Sequence, residues 1–283
     1  MAKLQKMMGS VSDPIIIKAI KRKVALAMTL QTLVVTLQKD IHQLVNQMNI
    51  QTDAIVGSQC DKDAFDQFEY NGNTIQVVSS TTRGVGINRN EVLMRSTADI
   101  CILADDDMTF LDGYMETAQT WFEKLPQADI LVFNLQEEKP RRYRNTKVRR
   151  IHSMNYGRYG AARLAFRRES VCFSGVMFHT MFGGGCRYSC GEDTLFLNAC
   201  LKKKLKIMAV PATLAKIRDG ESTWFSGWND KFFFDKGVLY FALHTRLCKL
   251  HSLIHCFRYR KKYKSYGWKN AVRQMWKGCD SRR

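Results

Sequence analysis

The chain of 283 residues has only four prolines, no internal repeat, no low-complexity tract and no uninterrupted run of eighteen or more apolar residues. Nothing in it therefore reads as a helix crossing a bilayer. With 45% hydrophobic residues and so little proline it can bury a sizeable core, in one α/β domain or two. The opening segment carries scattered lysines but lacks a small-residue cleavage site, which argues against a secretory signal. Nine cysteines are an odd number without framework spacing, so free thiols in a reducing, cytoplasmic setting are expected.

Acidic residues are scarce where basic ones gather. Residues 241–283 hold twelve Lys or Arg against Asp280 alone, 139–168 hold eleven against none, and 1–30 hold six against Asp13. These segments carry +11, +11 and +5 of an overall +18, so the rest of the chain is net −9. A mildly acidic body edged with basic segments favours an anionic surface or anionic ligands.

Residues 12–28 read as a basic amphipathic helix, with Ile16, Ile20 and Val24 at helical spacing. Strands are expected at Leu33–Leu37, Asp53–Gly57, Ile75–Ser79, Ile100–Ala104, Asp129–Asn134 and Arg163–Arg168. Between them lie a helical stretch at Lys39–Met48, a turn at Arg83–Asn90 leading into a helix through Ala98, and a loop at Lys139–Arg150. A helix should run from Cys190 to Leu201 and a single amphipathic one from Gly237 to Phe257. The alternation predicts an α/β fold with a mostly parallel central sheet flanked by helices. The organisation would be a basic segment at 1–30, a body at 31–240 and a basic, aromatic helical tail at 241–283.

Two acidic constellations stand out. Asp105-Asp106-Asp107 ends an apolar strand, which places the acids at the carboxyl edge of the sheet, where open α/β folds bind ligands. Crowded carboxylates repel one another, and a hard divalent cation such as Mg²⁺ or Mn²⁺ relieves them. Gly191-Glu192-Asp193 follows a glycine-rich loop and opens an apolar helix. Either group alone could be a helix cap, but together they offer a metal site and a proton acceptor.

The sequence resembles the large family-2 group of glycosyltransferases, which have the nucleotide-binding fold called GT-A. The likeness runs from about Thr32 to Phe241. It rests on LVVTLQ, RGVGINRNEVLMRSTADICILADDDM, RLAFRRESVCFSGVMF and GGGCRYSCGEDTLF, in the family's order. It looks closest to bacterial members that build capsule, exopolysaccharide or O-antigen chains.

The resemblance implies roles for particular residues. Asp105 and Asp107 match the family's Asp-x-Asp motif, so Asp107 would bind the Mn²⁺ or Mg²⁺ that bridges the diphosphate. Asp105 or Asp106 would meet the ribose. Asp193 matches the general base, with Glu192 positioning acceptor or base. Thr36, Asp61 and Arg83 stand where the family holds the nucleotide. Many members also have a metal-binding histidine after the Glu-Asp helix. This chain has Lys216 to Trp224 there, so either Glu221 substitutes or Arg218 meets the diphosphate directly.

The implied function is an inverting sugar transfer from a nucleotide-sugar donor, expected to be a UDP-sugar, to a glycan or lipid-linked acceptor. A bound cation would stabilise the leaving diphosphate, and a placed carboxylate would deprotonate the attacking hydroxyl. His244, Cys248, His251 and His255 fall on one helical stripe, but ligands in a line cannot close a tetrahedron around zinc. Cys186 and Cys190 read as lone thiols. The tail's RYRKKYK, with Tyr263, Tyr266 and Trp268, suits an anionic membrane surface, so a peripheral place on the inner face of the membrane is expected. The rival readings are a basic nucleic-acid-binding protein with metal-dependent chemistry and an inactive transferase-like scaffold. The charge map disfavours the first, because its basic segments lie away from the acids.

Overall fold

The computed structural model describes residues 28–138, 142–218 and 227–281. The helix expected over 12–28, apart from Met28, and the ligand candidate Glu221 lie outside them. Ten strands form one sheet among the described residues. They are β1 (Leu30–Thr36), β2 (Asp53–Gln59), β3 (Ala64–Tyr70), β4 (Asn73–Ser80) and β5 (Ile100–Asp105), then β6 (Met108–Phe110), β7 (Ile130–Gln136), β8 (Arg149–Arg150), β9 (Leu164–Arg167) and β10 (Ile207–Ile217). The helices are α1 (Ile41–Gln47), α2 (Val85–Arg95), α3 (Tyr114–Lys124), α4 (Arg168–Ser174), α5 (Glu192–Lys202), α6 (Asp230–His244), α7 (Cys248–Arg258) and α8 (Trp268–Asp280).

The strand order is β3-β4-β2-β1-β5-β9-β7-β10-β6, with β8 added on β10. The block β4-β2-β1-β5 is parallel throughout, as is the pair β7-β10. Strand β9 is antiparallel to both β5 and β7. Strands β5 and β7 therefore point the same way, and their carboxyl ends meet the start of β9 at one sheet edge. Side-chain alternation along β1 feeds both faces. Val34 joins the cluster with Leu44 of α1 and Phe122 of α3, whereas Leu33 and Val35 join Val92 of α2 and Phe196 of α5. Helices thus cover both faces, as expected of a mostly parallel sheet.

Several elements differ from those read in the sequence. Strand β3 has little burial, so it lacked a hydrophobic signal, and β6 has only three residues. Strand β10 contains Pro211, which cannot donate to a ladder, and its register with β7 shifts between Ala209 and Thr213. Helix α3 was also not anticipated. The turn expected at Arg83–Asn90 is mostly helix, because α2 begins at Val85.

The largest correction is at the carboxyl end. The single helix expected from Gly237 to Phe257 is two, broken at Thr245 to Leu247. No proline or glycine marks that break. Residue 240, the expected boundary of the body, falls inside α6. Helices α6 and α8 cross at backbone contact: a Cβ on Gly237 would lie 1.9 Å from the Met275 carbonyl oxygen, and one on Gly278 2.1 Å from that of Phe234. Tyr263, expected at a membrane boundary, is buried beside Phe233, with Tyr266 and Trp268 packed against the same cluster. With α6, the helices of this segment form a helical unit with a core of its own.

Candidate active site

Strand β5 delivers Asp105 to the carboxyl edge beside Val35, so Thr36 lies at the neighbouring strand end. The Thr36 hydroxyl donates to Asp106 Oδ2 at 2.6 Å. Arg218, just past β10, fastens the same turn. Its backbone N–H donates to the Asp107 carbonyl at 2.8 Å, Nη2 donates to the Asp106 carbonyl, and Nη1 donates to Gln47 Oε1 at 2.7 Å. Burial, followed by the charges of Asp105 and Asp106, holds the Asp107 carboxyl above its usual range, with Arg142 acting against them.

The second acidic group arrives on α5. Gly191 precedes it with φ +115°, and a Cβ there would meet Leu239 of α6 at 2.6 Å. The chain must therefore turn tightly between α6 and the sheet, and this sets Glu192 and Asp193 in the first turn of the helix. Acids are favoured at that end by the helix dipole. Asp193 Oδ1 accepts from the Thr194 backbone N–H at 2.6 Å. Burial and then the Glu192 charge push the Asp193 carboxyl up to about 6.

Arg89 joins the two groups. Its Nη2 donates to Asp105 Oδ1 at 2.7 Å and its Nη1 to Glu192 Oε1 at 2.8 Å, with the guanidinium 5.5 Å from the Phe178 ring centre. The side chain is 5% exposed. Burial works against its charge, but Asp105 and Glu192 outweigh it and raise its pKa above the ordinary arginine value. Arg89 lies within RGVGINRNEVLMRSTADICILADDDM, where nothing in the motif marks it as a site residue. The available signal was an arginine sharing a helix face with Val85, Val92 and Leu93, where an apolar residue belongs.

The remaining expected residues sit as follows. Arg83 and Asp61 pair with each other at 2.9 Å on the exposed loops after β4 and β2. His244, Cys248, His251 and His255 do not form one stripe, since the first lies on α6 and the others on α7. His255 stands between the Tyr240 hydroxyl at 3.0 Å and the Tyr263 hydroxyl at 2.8 Å, and burial lowers its pKa to about 3. All nine cysteines are free thiols.

Among the described residues no three His, Cys, Asp or Glu side chains converge as a ligand set. The donor chemistry still suits a hard cation. Such ions use one or two carboxylates together with waters and substrate phosphates, and Asp107 is a crowded carboxylate that a cation would relieve. Further along the same edge, Asn134, Gln136, Arg142, Tyr143, Arg144 and Arg163 are among the residues lining a cavity of about 560 Å³. Arg163 is buried, and its nitrogens donate to the carbonyls of Phe133 and Tyr143 and to Asn134 Oδ1. Burial lowers its pKa to about 10.

Residues 36–183, just over half of the chain, match the model of the family described as Glycosyl transferase family 2. The chain belongs to glycosyl transferase family 2. The match ends before Glu192, so the acids of α5 stand on geometry alone. This family-2 glycosyltransferase is similar in fold to TarS of S. aureus. A TarS 1-349 structure in complex with UDP-GlcNAc superposes with a TM-score of 0.57 at 14% identity, over 76% of this chain and 66% of that one. Another TarS 1-349 structure gives 0.56 at 13% identity, over 88% and 90%. A longer TarS gives 0.54 at 14%, over 75% of this chain and 39% of that one. No curated protein sequence is similar enough to count as a match. The family-2 chain therefore has the GT-A fold, with its two acidic groups brought to one edge.

Proposed function

We propose that the chain is an inverting, metal-dependent glycosyltransferase that moves a sugar from a uridine diphosphate donor to a hydroxyl of a glycan or lipid-linked acceptor. The process it serves would be bacterial surface polysaccharide synthesis, at the inner face of the membrane. The observation that carries this reading is the link from Asp105 through Arg89 to Glu192, with Asp193 next in the chain. It supports the reading because it holds Asp105, beside the candidate cation ligand Asp107, and the Glu192-Asp193 pair on one sheet edge.

In this reading Thr36, Asp61, Arg83 and Asp106 surround the nucleoside, and Arg218 stands by the diphosphate. Asp107 and the Asp105 oxygen not engaged by Arg89 would hold Mn²⁺ or Mg²⁺. When bound, the ion neutralises charge that develops on the leaving diphosphate. Glu192 is tied to Arg89, which leaves Asp193 to take the proton from the attacking hydroxyl. A carboxylate near 6 can do this at neutral pH. With Asp193 as the base and no other described carboxylate assigned as nucleophile, the reading is a single displacement with inversion. The cavity lined by Arg142, Arg144 and Arg163 lies along the edge from Asp107 and would receive the acceptor.

The test is a thermal-shift series with UDP and UDP-sugars in Mn²⁺, in Mg²⁺ and in excess chelator. Stabilisation should appear only with metal and should grow with nucleotide, reaching about 2.7 kcal/mol at a hundred times Kd. Equal stabilisation in chelator would remove the metal from the reading. No stabilisation by any nucleoside diphosphate would end it.

A further inference from the structure

Helix α7 is amphipathic in the opposite sense to a helix packed on a protein. Its inward positions are the small residues Cys248, Ser252 and Cys256, all buried. They face α8, with Cys256 Sγ 3.3 Å from Met275 Sδ and Ser252 Oγ 3.7 Å from Cys279 Sγ. The outward positions are Leu250, Leu253, Ile254 and Phe257, exposed by 51%, 37%, 53% and 56%, with Leu247 a turn earlier. That is the i, i+3, i+4, i+7 spacing of the stripe that ordinarily turns inward. A row of large apolar side chains on the surface marks a contact site.

The surroundings of the row say what it contacts. Arg246, Arg258, Arg260, Lys261, Lys262 and Lys264 are all exposed around it. Asp280, the one acid after residue 240 in the sequence, is paired with Lys249 at 2.8 Å. The Arg260 guanidinium lies 4.3 Å from the Phe257 ring centre, an apolar stem and ring with a charge at the tip. A two-fold dimer through this face would set these cations against their own copies. Single-stranded nucleic acid would need a series of exposed aromatic platforms, but Phe257 is the one ring in a row otherwise of leucine and isoleucine, and Tyr263 is buried and bonded to His255.

We propose that the outward face of α7, with the basic turn at 258–264, docks the protein on an anionic phospholipid bilayer. Leu250, Leu253, Ile254 and Phe257 enter the interface, and the cations pair with lipid phosphates. This deepens the membrane location in the proposed function by naming the surface that makes the contact. It stands on the exposure and charge of α7, independently of the donor chemistry.

The experiment is co-sedimentation of the full chain with vesicles of phosphatidylcholine and phosphatidylglycerol in equal parts, against phosphatidylcholine alone. Binding should require the anionic lipid and weaken as salt rises. The triple variant Leu253→Gln, Ile254→Gln, Phe257→Gln should bind at least about tenfold more weakly with an unchanged melting temperature. Lys261→Gln, Lys262→Gln and Lys264→Gln should each cost about fivefold and flatten the salt dependence. Phe65→Gln, at an exposed position on β3, should change nothing. All variants should keep the nucleotide response of the wild type, so failure of this proposal and failure of the donor reading are separable. The proposal is overturned if the triple variant still sediments, or if binding ignores lipid charge. It is equally overturned if the triple variant melts well below wild type, if it breaks up a lipid-free dimer, or if RNA outcompetes vesicles at matched charge.

Discussion

Helix α2 points a guanidinium into the protein, whereas helix α7 points three aliphatic side chains and a phenylalanine out of it. Both depart from the usual division of polar and apolar faces, in opposite directions. In α2 the departure is balanced within the chain, because Asp105 and Glu192 meet Arg89 at 2.7 and 2.8 Å. In α7 it is not balanced by any described contact. Fully burying such a side chain is worth about 1.5–3 kcal/mol, so a row left about half exposed forgoes roughly 5 kcal/mol. A buried charge held between two carboxylates points to a site that organises chemistry. An apolar row without partners among the described residues points to a site that meets something else. The two helices can be pulled apart by substitution.

The largest effect should come at Asp193, the acid beside Glu192 at the inner end of the Arg89 link. Asp193→Asn should retain nucleotide binding and lose about 10²–10⁴-fold in transfer, measured as kcat/KM with donor and acceptor. The wild-type pH profile gives a second view. A carboxyl raised to about 6 is protonated below that pH and cannot accept a proton, so kcat/KM should fall as pH drops through 6 and level off above it. An unaltered rate in Asp193→Asn would place the base elsewhere.

Next comes Arg89 itself. Arg89→Leu removes the cation and leaves Asp105 and Glu192 partly buried without it. Breaking a buried pair from one side typically costs about 3–5 kcal/mol, to be read from urea unfolding. Adding Glu192→Gln in that background should recover part of the loss, because it removes one of the stranded charges. If Arg89→Leu unfolds like wild type, the link is incidental and α2 is an ordinary helix.

These two helices also show what the sequence makes legible. The parallel block and the acids at its edge were readable because strands such as ICILA end abruptly in charge and alternate with helical segments. Glu192 and Asp193 were readable as the opening of an apolar helix. Arg89 was not, because one arginine among helix residues carries no sign of which way it points until Asp105 and Glu192 are placed by tertiary structure. Strand β10 was hidden by Pro211, and the break between α6 and α7 by a Thr-Arg-Leu junction that carries no stop signal. The outward face of α7 shows a limit of periodicity, which finds a stripe but does not say what covers it. Composition shows the basic charge of the segment, whereas its aromatics Tyr263, Tyr266 and Trp268 serve the core of the helical unit.

A smaller effect tests whether that unit belongs to the catalytic body. Gly237→Ala would drive a methyl into the Met275 carbonyl and push α6 and α8 apart. Overpacking of this kind costs about 1–3 kcal/mol, seen as a lower melting temperature. Because Leu239 on the same helix packs against Gly191, the variant should also lower turnover. Loss of stability with full turnover would mean that α6 carries α7 and α8 without steadying the acids.

The smallest effect should come at Ile254, and it separates the two helices most directly. The side chain is 53% exposed and lies opposite Cys248, Ser252 and Cys256, which hold α7 to its neighbours. Replacing it with glutamine removes no described packing and adds a polar group to a solvated face. Surface substitutions away from caps, cavities and ion pairs stay within about 0.5 kcal/mol, so Ile254→Gln should unfold in urea at the wild-type midpoint with the same slope. The same substitution should weaken vesicle binding, so one residue would be neutral for folding and costly for docking. A fall of more than about 1 kcal/mol would mean that the row is covered within the chain. Helix α7 would then be balanced internally, as α2 is, and the contrast between them would disappear.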